Sequence, residues 1–244
     1  GKDLYIEDGR ILTITEESLP FDTQVDAGGN YVSAGFIDLH CHGAKGCDFA
    51  DGTVAAVINA ANHHCQHGTT TIFPTTFSSS VQQIEDSLAA VREAMASAEL
   101  LPHIPGVHLE GPYFSKKQCG AQNPDFITPP VRADYLRLLD GYGDVIRRWS
   151  FAPELPGAAE FQQALADRGV TASAGHSDAI YDDMKLAREN GCRLITHFYS
   201  CTSTITRKGG FRSLGVIESV DDAGKLIKAD KSYKPNAENK AVYD

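Results

Sequence analysis

From Gly35 to His197 the chain repeats one pattern: a short run rich in Val, Ile, Thr or Phe, then a longer stretch whose apolar residues recur every three to four positions. That alternation dictates parallel βα units, because two neighbouring parallel strands need a crossover long enough to hold a helix. It predicts strands at 36–41, 69–74, 104–110, 146–152, 170–174 and 193–197, and helices at 53–67, 79–98, 131–139, 158–167 and 179–189. Gly68 suits a helix end, and Ser79 or Ser80 suits a helix start. Periodicity alone does not separate a barrel from an open doubly wound sheet, but the polar residues do. His40, His42, Glu110, Glu154, His176 and His197 each fall at or just beyond the C-terminal end of a strand. A barrel gathers such groups on one rim.

Two of these residues carry the sharpest signal. In Phe36-Ile37-Asp38-Leu39-His40-Cys41-His42-Gly43 the two-residue period of a strand sends His40 and His42 to the same side, where both imidazoles reach one point. A lone His-x-His fits an ordinary strand end with two satisfied polar groups better than it fits a metal chelate. The imidazoles and carboxylates at the other strand ends are of types that suit zinc or a similar divalent ion, and their company shifts that balance. Cys41, between the histidines, points away from them. Glu154 reads as a structural or supporting carboxylate, and His108 as either a support for the site or a hydrogen-bonded interior histidine. His63, His64 and His67 share a helix without a helix Glu, so they read as solvated surface.

The net charge of −10 argues against nucleic acid or an anionic membrane as the main partner, and no run approaches the ~20 apolar residues of a membrane span. A small substrate in a cytoplasmic protein is the expectation. The six cysteines form no C-x-x-C pair and read as reduced thiols.

Both ends of the chain differ from its middle. Residues 1–33 hold short β-prone pieces, Asp3 to Glu7, Arg10 to Thr15 and Thr23 to Asp26, with Asp8-Gly9 as a hairpin turn. After Arg212 too few residues remain for two further βα units, so the expectation is a barrel without its last strands, either through truncation or through a junction near 219–224. The β-like run Lys225 to Lys228 could return to the N-terminal sheet. The domain reading is therefore 1–33 with 223–244 as a small β-sandwich, and 34–222 as the barrel.

The ordered set Gly35 to Gly43, His108-Leu109-Glu110-Gly111-Pro112, Ala152-Pro153-Glu154, Ala174-Gly175-His176-Ser177 and Thr196-His197-Phe198 resembles the N-acetylglucosamine-6-phosphate deacetylases of the amidohydrolase superfamily. The resemblance implies an α/β fold, a metal-dependent (β/α)8 TIM-like hydrolase barrel with a β-sandwich built from the chain ends. It implies one or two divalent ions, zinc foremost, held by Glu110, His176 and His197 with His40 and His42. It also implies a homodimer that removes acetate from an N-acetyl amino-sugar phosphate. The family's proton-carrying Asp from the eighth strand has no counterpart here; Asp221 and Asp222 follow His197 too closely to fill that role. Gln122 stands where the family usually has a substrate-touching His, Ser200-Cys201 where it has Asn-Ala, and Arg207 where a phosphate-contacting Arg is expected. These departures keep two alternatives open: another amidohydrolase acting on cyclic amides or as a deaminase, or a non-catalytic binder of metal or sugar phosphate.

Overall fold

The computed structural model describes residues 2–198, 200–202, 206–208 and 211–213, so the expected run at 225–228, the junction at 219–224 and the sandwich segment 223–244 lie outside the described residues. The chain divides into two compact units, Gly1–Ala34 and Gly35–Asp244.

In the first unit, β1 (Asp3–Glu7) and β2 (Arg10–Thr15) pair antiparallel. Asp8 and Gly9 turn the chain between them with φ of 50° and 71°, the doubly left-handed turn that matches strand twist. The piece at 23–26 forms no strand. Asp26 instead accepts the Gly28 N–H and opens the turn that follows.

In the second unit the alternation appears as expected. The strands are β3 (Phe36–Cys41), a small hairpin of β4 (Gly43–Ala44) and β5 (Cys47–Asp48), β6 (Thr69–Pro74), β7 (Val107–Glu110), β8 (Ile146–Phe151), β9 (Thr171–Ala174) and β10 (Leu194–Ile195). Between them run α1 (Val54–Gln66), α2 (Val81–Met95), α3 (Arg132–Tyr142), α4 (Ala158–Ala166) and α5 (Tyr181–Glu189). β3 pairs parallel with β6, and β7, β8, β9 and β10 form a parallel sheet in that order. A parallel bridge between Thr75 and His108 joins the two sets. A last hairpin, β11 (Thr206–Lys208) with β12 (Phe211–Ser213), follows.

Local chemistry sets these boundaries. The Thr53 side chain caps the α1 N-terminus by accepting from the Ala56 N–H, and Ser80 with Gln83 forms a reciprocal cap on α2. β7 begins later than the sequence pattern suggests because Pro105 has no N–H for the ladder. β10 is short because His197 adopts φ 55° and turns the backbone out of the strand.

Helices α3 and α4 cover β8 through an aromatic cluster. Phe161 is fully buried; its ring meets those of Tyr113, Tyr135, Trp149 and Phe151 at centroid distances of 5.0 to 5.5 Å. Trp149 donates its indole N–H to the Gly111 carbonyl at 2.8 Å, tying this apolar layer to the residue after Glu110. Phe161→Ala should lower stability by about 3–5 kcal/mol, read as a reduced urea midpoint at unchanged slope; a loss below about 1 kcal/mol would contradict the packing described here.

Candidate metal centre

Each polar side chain singled out at a strand end is delivered by the register of its strand. His40 lies on β3 and His42 just past it; Glu110 closes β7; His176 and His197 follow β9 and β10. All four imidazoles turn to one carboxylate. Glu110 Oε1 lies 2.7 Å from His197 Nε2, 3.2 Å from His40 Nε2 and 3.3 Å from His176 Nε2, and Oε2 lies 3.1 Å from His42 Nε2. The two nitrogens of His40 and His42 are 3.3 Å apart.

Glu110 is almost wholly buried. Burial by itself pushes its carboxyl up, but hydrogen bonds from His176, His197, His40 and His42 outweigh that and hold it well below the usual carboxylate range. It is therefore ionised in the fold.

The donor set fits a divalent cation. His176 Nδ1 lies 2.9 Å from the Gln118 carbonyl, which only accepts, so Nδ1 carries a proton. That leaves Nε2, 3.3 Å from Glu110 Oε1, as the ring atom a cation would take, coordination then replacing this hydrogen bond. Two ligand atoms of a tetrahedral zinc site are about 3.3 Å apart, given bonds of ~2.0–2.1 Å, and most separations here are close to that. The ring nitrogens of His40 and His197 and a Glu110 oxygen all lie within 4.8 Å of one another.

Neighbouring groups fix the imidazoles in place. The His42 ring stacks on Phe77 at 3.9 Å, and that of His176 on Phe114 at 4.4 Å. His108 packs edge-on against His40 at 4.8 Å; its Nε2 meets Ser150 Oγ at 2.7 Å and its Nδ1 meets Thr75 Oγ1 at 3.3 Å. Burial, then the Arg148 and His40 charges, keep His108 well below the usual imidazole range, so it serves as a neutral prop. Beneath it the buried Arg148 donates to the Leu39 carbonyl, Ser173 Oγ and Thr196 Oγ1. The sequence pattern left this polar layer unread, although Arg148, Ser150 and Ser173 sit at alternate or matching strand positions that signal it. Phe77 and Phe114 were also unread; both follow strand ends, the same rule that located the histidines.

The substrate-side candidates fall in different places. Gln122 is buried and both ends of its amide are used internally: Nε2 donates to Glu110 Oε2 at 2.9 Å, and Oε1 accepts from the Ser78 N–H at 2.7 Å. Cys201 lies beside the centre, since a Cβ on Gly120 would come within 2.6 Å of Cys201 Sγ and 3.5 Å of His176 Cε1. Ser200 is exposed and its N–H donates to the His197 carbonyl at 2.6 Å. Arg207 lies in β11, with its side chain outside the described residues. Glu154 stands apart, accepting from Ser177 Oγ at 2.7 Å and the Asp178 N–H at 2.6 Å, and so braces the turn after His176. His176 and His197 share a feature that spacing does not reveal: φ of 47° and 55°, a region non-glycine residues seldom enter.

Comparison with known proteins gives no match to a family model. Among curated proteins, an N-acetylglucosamine-6-phosphate deacetylase of Bacillus subtilis is 31% identical over 204 residues, covering 81% of this chain and 52% of the relative. Among solved structures, an N-acetylglucosamine-6-phosphate deacetylase from Pasteurella multocida superposes with a TM-score of 0.77 at 30% identity, over 88% of this chain and 56% of that one. A mutant N-acetyl-D-glucosamine-6-phosphate deacetylase from Mycobacterium smegmatis, in complex with N-acetyl-D-glucosamine-6-phosphate, gives 0.72 at 30% identity over 81% and 51%. The chain spans about half the length of the curated relatives it matches.

The geometry predicts that Gln122→Leu, which removes the Glu110 partner without touching an imidazole, weakens zinc affinity about 10–100-fold, and that Glu110→Gln weakens it further. Competition with a chromogenic chelator measures both; equal affinity in Glu110→Gln and the unaltered protein would show that this carboxylate holds no ion.

Proposed function

This chain belongs to the N-acetylglucosamine-6-phosphate deacetylase family of the amidohydrolase superfamily, and from that premise we propose that the protein carrying it hydrolyses the acetamide of N-acetylglucosamine 6-phosphate or a close N-acetyl amino-sugar phosphate. One observation carries the reading: four imidazole Nε2 atoms from three strand ends and one following turn surround the Glu110 carboxylate at 2.7 to 3.3 Å. In this reading the parallel sheet is the first part of a (β/α)8 barrel, and residues 1–33 with 223–244 form a β-sandwich. His40, His42, Glu110, His176 and His197 hold one or two divalent ions, zinc first among them.

A bound divalent ion supplies Lewis acidity, polarising the acetamide carbonyl and making a water molecule acidic enough to react near neutral pH. The chain's own residues do the positioning. Gln122 orients Glu110 Oε2, His108 props the His40 ring, and Phe77 and Phe114 shield the faces of His42 and His176 from water. In this reading Cys201 and Ser200, which border the His176 and His197 side, meet the sugar, and Arg207 meets its phosphate. Among the described residues no carboxylate other than Glu110 pairs with these imidazoles, so no described residue takes the role of carrying the proton to the leaving amine.

The reading extends to a cytoplasmic homodimer. Its support is the family membership; the net charge of −10 argues separately against nucleic acid or an anionic membrane as a partner, and no helix of the described residues is long and apolar enough to cross a membrane.

A second reading has its own support. With both ends of the Gln122 amide engaged inside the protein, the position that usually meets the substrate is closed, which favours a different amide substrate on the same metal scaffold. Acetate release from N-acetylglucosamine 6-phosphate by the expressed protein in the presence of zinc tests the first reading. Stripping the metal with a chelator should lower turnover at least about 100-fold, and added zinc should restore it. Zinc binding without acetate release, together with turnover of a cyclic amide in a parallel panel, would favour the second.

A further inference from the structure

Around the end of β3 and the hairpin that follows it, four potential ligand atoms of different chemistry converge. Cys41 Sγ lies 3.0 Å from His64 Nε2. The Gly43 carbonyl oxygen is 3.2 Å from that nitrogen and 3.5 Å from the sulfur. A carboxylate oxygen of Asp38 completes the group, with its atom, Cys41 Sγ and a His64 ring nitrogen all within 4.8 Å of one another. These side chains are half-buried, and they come from β3 and α1, with the carbonyl from β4. The sequence reading of His64 as solvated helix surface is therefore wrong: α1 turns this ring inward onto the strand, while His67 stays exposed.

The local charge is unbalanced. Both Asp38 and Asp48 direct negative charge at Cys41. Among the described residues Asp38 and Asp48 form no ion pair with Lys or Arg. Asp38 Oδ1 accepts the His40 N–H at 3.0 Å, which leaves its second oxygen for another partner.

We propose that Asp38, Cys41 and His64, with the Gly43 carbonyl, form a second metal site, selective for zinc or another thiophilic ion. A sulfur and an imidazole nitrogen exclude magnesium and calcium, which take oxygen ligands, whereas the mixed S, N and O set matches zinc. On coordination the Cys41 thiol gives its proton to solvent. The ion ties the end of β3 to α1, so its role is to hold the strand segment that presents His40 and His42. The site is independent of the proposed deacetylase reaction.

Cobalt distinguishes the two centres through their sulfurs, since Cys41 belongs to this site and Cys201 borders the other. Titrating the metal-free protein with Co²⁺ should raise a near-ultraviolet sulfur-to-cobalt charge-transfer band. The band should vanish in Cys41→Ser, need at least about tenfold more cobalt in His64→Gln, and persist in Glu110→Gln, Cys65→Ser and Cys201→Ser. No band in the unaltered protein at saturating cobalt overturns the proposal, as does a band that survives Cys41→Ser or is lost in Cys65→Ser or Cys201→Ser. Should Cys41→Ser fail to fold, the unaltered protein and His64→Gln decide the matter, an unchanged midpoint in His64→Gln counting against the site.

Discussion

A buried carboxylate is costly to keep ionised in a protein interior unless donors or cations surround it. Glu110 meets that condition with Nε2 atoms from His40, His42, His176 and His197, and with the Gln122 amide. These partners come from four separate stretches of chain, His40 and His42 sharing one, so the charge can be held only when β3, β7 and the turns after β9 and β10 are in register together. The site is in this sense a condition on the fold as well as a product of it. The Trp149 indole, bonded to the Gly111 carbonyl, extends the condition into the aromatic cluster, where Phe161 locks α4 over β8.

The strand ends were legible because two simple rules act in concert: side chains alternate along a strand, and parallel units present their C-terminal ends on one side. Those rules put His40, His42, Glu110, Glu154, His176 and His197 at strand ends; the family resemblance singled out all but Glu154, and Glu110 does stand among the four imidazoles. Boundaries were less legible where a single residue overrode the pattern. Pro105 delays β7 by withholding an N–H, and His197 cuts β10 short by its left-handed backbone. The hairpin 43–48 escaped notice because strands of two residues carry no period.

What the pattern could not supply was the use to which each polar group is put. Gln122 reads from sequence as a residue facing substrate, yet its amide is spent on Glu110 and on the Ser78 N–H, a choice set by a loop whose path no periodicity encodes. His64 reads as surface because its helix neighbours His63 and His67 are polar, but the helix phase that exposes His67 turns His64 toward Cys41. Arg148, Ser150, Ser173 and Thr196 form a hydrogen-bonded layer only because three parallel strands align their inward positions, a fact of register rather than of composition.

The left-handed backbone at His176 and His197 narrows the chemistry open to this scaffold over evolutionary time. Besides glycine, asparagine, aspartate and histidine enter that conformation most readily. Exchange of either imidazole for aspartate would therefore keep the turn and offer a harder, oxygen-donating ligand at small steric cost, whereas cysteine or glutamate would carry a larger one, as Cys201 does at φ 51°. The backbone thus biases donor type, leaving drift toward oxygen-preferring ions easier than drift toward sulfur-rich ones.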